Sequence, residues 1–343
     1  MLGSLFQCDP DLRLTGSDVY LDPRQSRPIG VISHGHSDHI GRHEHFIATA
    51  ATAAFLRIRQ GDDLRGTELS YRKVHALQTD RRIALLRGSR EEVDTTVELF
   101  PAGHILGSAM IRLSTARGSL AYTGDFKLSP SFTAEPTEVP RADAIVMEST
   151  YGSPEWIFPS REELRERLIS LTKEIVRKGK TAVLLAYSLG KAQETAAMLR
   201  ASGLGLVMHR IAAQLSAVYE RHGVDLGDYE VWDSQPALFG RRATTDLRGK
   251  AIIVPPHMTA EIRRIPGRET IALTGWALNG SREADHALPL SDHADFQELV
   301  TLAETSGAAV VYVTHGSKRF AAELRRRGIR AEFLKREPQM RLF

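Results

Sequence analysis

The sequence predicts an α/β protein in which one domain, equipped to hold metal ions, is interrupted by a second α/β domain. Three observations predict it. Short apolar strands repeatedly run into a loop that presents a histidine or a carboxylate, as at Pro28-Ile29-Gly30-Val31-Ile32 before Ser33-His34-Gly35-His36-Ser37-Asp38-His39. From Ser160 the style changes to alternating helix and strand. After His286 the earlier style returns. The boundaries read this way are 1–159 and 286–343 for the split domain and 160–285 for the insertion.

At 343 residues the chain is long enough for both domains, and 42% hydrophobic with 25% charged residues is ordinary for a soluble protein. The formal charge of +3 is compatible with a polyanionic partner. Basic clusters at Arg81-Arg82, Arg241-Arg242, Arg263-Arg264 and Arg325-Arg326-Arg327 read singly as solvated faces. The single cysteine, Cys8, excludes an intrachain disulfide, fits a reducing cytoplasm, and leaves any metal to nitrogen and oxygen ligands. No apolar run approaches the ~18 residues of a membrane span, so a cytoplasmic protein with no membrane partner is expected. Aromatic residues are only 7% of the chain, and no stacking platform is evident among them.

In chain order, Val19-Tyr20-Leu21 is a short strand ending at Asp22-Pro23. Asp22 is placed either to hydrogen-bond a ligand imidazole or simply to form a turn before proline. Ala48 to Arg59 is Ala-rich, and a helix stopping at Gly61 is expected. Residues 70–97 alternate in short runs as in an antiparallel or mixed sheet. Val97-Glu98-Leu99-Phe100-Pro101-Ala102-Gly103-His104-Ile105-Leu106-Gly107 breaks a strand into a Gly-flanked loop that presents His104. Ser119-Leu120-Ala121-Tyr122-Thr123-Gly124-Asp125 and Ala144-Ile145-Val146-Met147-Glu148 repeat the design with Asp125 and Glu148.

Ser160-Arg161-Glu162-Glu163 is a capping box, followed by Leu164, Leu168, Leu171 and Ile175 at helical spacing and by Gly179. Strands at 181–187, 204–208 and 251–254, with helices at 190–200 and 211–221, make a parallel α/β unit. Lys191 opens one of these helices, where it either contacts a phosphate or is an exposed helical lysine. The tail then offers Ser291-Asp292-His293-Ala294-Asp295, a helix from Phe296 to Thr305, the buried strand Ala309 to Thr314 running into His315-Gly316, a helix from Lys318 to Arg327 and a last strand from Arg330 to Leu334.

Three imidazoles and a carboxylate between His34 and His39 are costly to bury without a cation. His34, His36 and His104 make one ligand set. Asp38, His39 and His315 make a second, with Asp125 bridging. All-N/O ligation suits Zn²⁺, with Mn²⁺ as a competitor, and two such ions ~3.5–4 Å apart can hold a hydroxide that attacks phosphorus or a carbonyl carbon.

His34-Gly35-His36-Ser37-Asp38-His39 with single His, Asp and His residues at later strand ends resembles the metallo-β-lactamase superfamily, whose fold is an αββα sandwich. Glu148 in Met147-Glu148-Ser149-Thr150-Tyr151-Gly152, His293 in Ser291-Asp292-His293-Ala294-Asp295, and His315 in Val313-Thr314-His315-Gly316 resemble motifs of its nucleic-acid-cleaving β-CASP branch. In that branch an α/β domain is inserted in the sandwich. Ala186-Tyr187-Ser188-Leu189-Gly190-Lys191-Ala192-Gln193 and Thr274-Gly275-Trp276 are similar to the bacterial ligase-associated DNA exonucleases, while Ala277-Leu278-Asn279 departs from that pattern. The resemblance implies a dinuclear metal-dependent phosphodiesterase acting on DNA, single-stranded or at ends, in a repair setting alongside a DNA ligase. His293 is then the general acid, oriented by Glu148, with Asp38 counted among both ligands and catalytic groups. Ser291 and Lys191 are weaker candidates for phosphate oxygens. An RNA-processing nuclease is the alternative. A small-molecule hydrolase of the same superfamily would need neither Glu148 nor His293, and a metal-free binding subunit would not need seven competent ligands.

Overall fold

The central strands of the first unit bury most of their positions, because each sheet has the other on one face and helices on the opposite face. The computed structural model describes residues 5–8, 11–77, 95–233, 247–280, 284–316 and 318–334. Arg81-Arg82, Arg241-Arg242 and most of the alternating runs of residues 70–97 lie outside the described residues. Two units divide the chain: Met1–Pro130 with Ala134–Ile157 and His293–Leu342, and Phe158–Asp292 with Ser131–Thr133.

In the first unit, one sheet takes β1 (Phe6–Cys8), β2 (Leu12–Leu14), β3 (Val19–Leu21), β4 (Ile29–Val31), β5 (His45–Ala48) and β6 (Gly66–Glu68) in that spatial order. The other runs β19 (Ala331–Phe333), β18 (Val310–Gly316), β11 (Ala144–Ser149), β10 (Gly118–Tyr122), β9 (Ala109–Thr115), β8 (Thr95–Pro101) and β7 (His75–Leu77). Leu12, Leu21, Val31, Leu99, Ile111, Tyr122 and Val146 fill the space between the sheets. Helix α1 (Ala50–Gln60) covers the first sheet's outer face with Ala53 and Leu56 against Ile32 and Phe46. Late in the chain, Phe296–Thr305 and Lys318–Arg326 cover the second sheet with Leu299, Leu302, Phe320 and Leu324. The layers are therefore helix, sheet, sheet, helix, the sandwich expected. Helix α1 begins where Thr49 Oγ1 accepts the Thr52 N–H and stops at Gly61, whose φ of 103° a side chain would disfavour.

In the second unit, β12 (Thr181–Leu185), β13 (Leu206–His209), β14 (Glu230–Trp232), β15 (Ala251–Val254), β16 (Arg268–Leu273) and β17 (His286–Leu288) form one sheet in the order β14-β13-β15-β12-β16-β17, every pairing parallel. Helix α2 (Arg161–Arg177) is capped by Ser160, whose hydroxyl accepts the Glu163 N–H. Thr172, one position beyond the Leu171 read from periodicity, is the buried residue of its third turn. Helices α3 (Lys191–Leu199), α4 (Arg210–Arg221) and α5 (Thr259–Arg263) follow. A boundary at 285/286 is not where the units part. His286 pairs with Ile271 as a sixth strand, which keeps the chain in this unit through Asp292, and the first unit resumes at His293. Among the described residues, no helix is long and apolar enough to cross a membrane.

The helix Phe296–Thr305, α6, is tied down by a buried charge. Lys127 Nζ lies 2.9 Å from Glu298 Oε2, and Glu298 also accepts N–H bonds from Ser129 and Asp295. Burial pushes the Glu298 carboxyl up, but Lys127 and the N–H donors hold it below the ordinary glutamate range. A carboxylate lowered on folding contributes stability above its unfolded pKa and loses it as pH falls through the folded value. Glu298→Gln is therefore expected to cost about 3 kcal/mol at pH 7, since it leaves Lys127 buried and unneutralised. Urea unfolding at pH 7 and at about pH 3 checks it: the gap between variant and wild type closes at acid pH, and an unchanged gap would remove the ion pair from the account.

Candidate metal centre

Every residue of the centre described next belongs to the first unit. After β4 the chain turns at Ser33, and the turn is held by Asp22, just past β3. Asp22 Oδ1 accepts the Ser33 N–H at 2.7 Å, and Oδ2 accepts the Ser33 hydroxyl at 2.6 Å and the Tyr122 hydroxyl at 3.0 Å. His39 Nδ1 lies 2.8 Å from the same Oδ2. Asp22 itself sits at φ 42°, a left-handed conformation that a non-glycine residue adopts at some cost. This grip fixes the orientation of the imidazole, so that Nε2 of His39 faces the interior of the loop.

Four side chains then converge. His34 Nε2 lies 3.1 Å from His36 Nδ1, and His104 Nε2 lies 3.0 Å from the same atom. Asp125 Oδ2 lies 3.6 Å from His34 Nε2, 3.9 Å from His104 Nε2 and 3.3 Å from His39 Nε2. One proton on His36 Nδ1 serves only one of its two neighbours, and His34 has its other nitrogen at 2.9 Å from the Ser33 hydroxyl. A divalent cation with N/O ligands at about 2.0–2.1 Å accepts all these lone pairs at once, and ligands around such an ion sit a little over 3 Å apart, the spacing seen here. The donor set fits a metal.

Burial supports the same form of the ligands. His34 is fully enclosed, and burial together with its histidine neighbours holds it well below the ordinary imidazole range, as a neutral donor. Burial pushes Asp125 up, but the surrounding histidines, His39 first, hold it well below the usual carboxylate range. For His39 burial acts downwards, and Asp125 and Asp22 outweigh it and raise the ring well above its usual value.

The second predicted set is looser. His39 Nε2 lies 3.8 Å from Asp38 Oδ2, and the His315 ring centroid lies 5.8 Å from that of His39. His315 stands at φ 50° beside a break in register between β11 and β18, where the Ser149 hydroxyl bonds its carbonyl at 2.9 Å. Both sets are drawn to one end of the unit by strand geometry. Asp125, Glu148 and His315 come from β10, β11 and β18, which run parallel. Gly124, at φ 54°, is needed there, since a Cβ on it would lie 2.6 Å from Ser33.

His293 opens the last segment of the unit. Its Nδ1 lies 3.0 and 3.1 Å from the two oxygens of Glu148 and 3.9 Å from Asp125 Oδ2, and its ring centroid is 4.8 Å from that of His104. Glu148 is fully buried and further held by the Phe126 N–H and the Thr150 hydroxyl. Ser33, Tyr122 and Thr150, which orient these groups, were not read from sequence. The one signal was position: Tyr122 falls on the inward parity of an otherwise apolar strand. Ser291 and Lys191 belong to the second unit. Ser291 is buried, and the Lys191 ammonium is buried against Asp292 at 2.7 Å, so this lysine is an ion-paired group rather than an exposed one.

Fold and site together define an αββα scaffold with a histidine- and carboxylate-lined candidate metal centre. The profile of the Metallo-beta-lactamase superfamily matches residues 31–171. The chain is 35% identical over 334 residues, 94% of its length, to a probable DNA ligase of Opitutus terrae, covering 30% of that protein. It is 32% identical over 185 residues to the RNase aCSPSF2 of Saccharolobus solfataricus, covering 49% of this chain and 37% of the other. Over 110 residues, 31% of this chain and 17% of the other, it is 40% identical to the transcription termination factor FttA of Pyrococcus abyssi. The chain thus spans well under half the length of these curated relatives.

Asp22→Asn tests how the centre is held. Metal affinity, measured by competition with a chromophoric chelator, is expected to fall about 10–100-fold with the circular dichroism spectrum unchanged. Affinity equal to wild type would show that the Asp22 grip on His39 does not matter to the ligands.

Proposed function

We propose that the chain is a metal-dependent phosphodiesterase that degrades DNA from an end, in a repair setting. The observation that carries the reading is the His293 and Glu148 pair beside the metal donors, because a lactam or thioester hydrolase has no use for a second, carboxylate-oriented histidine there. Similarity over 94% of the chain to a protein named as a probable DNA ligase supports DNA and a functional association with ligation. Similarity to an RNase over about half the chain favours the second reading, an RNA-processing nuclease.

His34, His36, His104 and Asp125 would hold one divalent ion, Zn²⁺ or Mn²⁺, and Asp38, His39 and His315 would complete a second site with Asp125 shared. Bound there, such ions supply charge neutralisation of a phosphodiester and a nucleophilic oxygen at neutral pH. The chain's own residues do the rest. Asp22 and Ser33 keep the imidazoles of His39 and His34 oriented. Glu148 holds the Nδ1–H of His293 and stabilises its protonated form, so that Nε2 delivers a proton to the departing sugar oxygen. Phosphate ester cleavage needs that proton because an alkoxide is a poor leaving group.

His293→Ala is expected to lower the cleavage rate by about 10²–10⁴-fold, the usual scale for losing a general acid, while metal content stays at the wild-type level. Loss of metal from this variant would make His293 a ligand instead. End-labelled DNA and RNA of one sequence, digested by metal-depleted protein restored with Mn²⁺ or Zn²⁺, decide the substrate. A ladder of products from one end of DNA is the expected result, and cleavage confined to RNA would overturn it.

A further inference from the structure

His104 is carried on a loop, residues 102–108, between β8 and β9, and different groups shape that loop and place it. Its shape is internal. Ala102 donates its N–H to Ser108 O at 3.0 Å, and Ser108 donates its own to Ile105 O at 3.0 Å. The Ser108 hydroxyl oxygen accepts the N–H groups of His104 and Ile105 at 3.2 and 3.3 Å. Its placement in the first unit is external. The Thr49 and Thr52 hydroxyls, at the start of α1, donate to Gly107 O at 2.6 and 3.0 Å. Glu135 accepts the Gly107 N–H, at 3.0 Å on Oε2 and 3.3 Å on Oε1. Tyr71, half-buried against the core between the sheets, shares its hydroxyl proton between Ser108 O, at 3.0 Å, and the Glu135 carboxylate. Burial first, and then Glu135, push the phenol up from its usual value, which keeps it a donor.

The loop is closely confined. A Cβ on Gly107 would lie 2.6 Å from the Ala51 Cβ, and one on Gly103 would run into Lys127 O. Tolerance matters at the tip, because His104 Nε2 lies 3.0 Å from His36 Nδ1 and an ion shared between them accepts ligand distances only within about 0.2 Å. The threonines belong to a helix that the core needs in any case. Glu135 comes instead from residues 123–143, a stretch between β10 and β11 with neither helix nor strand. Stretches of that length in a compact protein usually exist for what they carry. A hydrogen bond to an ionised acceptor is roughly twice as strong as one to a neutral acceptor, so a carboxylate on this main-chain N–H holds the loop more firmly than its own closure requires.

We propose that Glu135 and Tyr71 are positioning residues of the metal centre, which fix the place of His104 Nε2 through Gly107 and Ser108. The proposal rests on the metal-centre reading above and assigns each ligand set its own support. The Asp22 grip holds His39, of the second set, whereas this clamp holds His104, of the first.

The test titrates the metal-depleted full chain with Co²⁺, whose visible absorption reports both affinity and ligand geometry. Glu135→Ala is expected to weaken Co²⁺ binding at least tenfold and to shift the absorption maximum. Glu135→Gln keeps an acceptor for the Gly107 N–H and should show about half of that loss on a logarithmic scale. Tyr71→Phe should weaken binding in the same direction. The double variant Glu135→Ala with Tyr71→Phe should lose less than the two single losses combined, since both groups act through one segment. Urea unfolding of the metal-free variants checks for a purely structural role: reduced stability with wild-type Co²⁺ affinity and spectrum would overturn the clamp. Should Glu135→Ala fail to fold, unchanged affinity in both Glu135→Gln and Tyr71→Phe would overturn it equally. A wild-type chain that takes up no Co²⁺ would overturn the metal-centre reading and the clamp together, so the two failures are told apart.

Discussion

Several histidine nitrogens about 3 Å apart in a buried cluster are satisfied together most simply by a cation held between them. That constraint organises the first unit. His34 and His36 arrive on one loop, His104 on another and Asp125 at the end of β10, and each is delivered by a strand whose remaining side chains are spent on the core between the sheets. The apolar layers do not choose the centre; they make its geometry inflexible. Asp22 is the point where the two roles meet, since one carboxylate both ends a buried strand and fixes the loop that carries half the donors.

Much of this was legible in the sequence because the signals were dense and local. Three histidines and an aspartate within six residues are recognisable without a fold, and Asp125 and Glu148 follow apolar strands that announce themselves. The inserted parallel sheet followed from periodicity and from the change of style at Ser160, and the sandwich from the family resemblance. What could not be read depended on contacts between distant segments. Tyr122 reaches Asp22 across 100 positions, and Lys191 meets Asp292 across 101. A lysine at the start of a helix looks exposed until its carboxylate partner is placed. The segment His286–Leu288 was grouped with the tail that follows it, whereas it pairs with the strand just before it, β16, His286 lying opposite Ile271.

Composition says little about how aromatic side chains are placed. A chain with few aromatics shows no obvious surface for bases, yet what matters is where the few are put. Trp156 and Trp232 are consumed by packing, whereas Trp276 is half exposed. Averages over 343 residues cannot distinguish these fates.

The pairing of β11 with β18 spans the entire insertion, since Ala144 lies opposite Val310, and Glu148 meets its histidine 145 positions later. During synthesis, then, the whole inserted unit must leave the ribosome before Glu148 and His293 can meet. A nascent chain that stops within the insertion carries Glu148 but neither His293 nor His315. Splitting the scaffold around another domain thus makes assembly of the centre wait for the insertion to be synthesised.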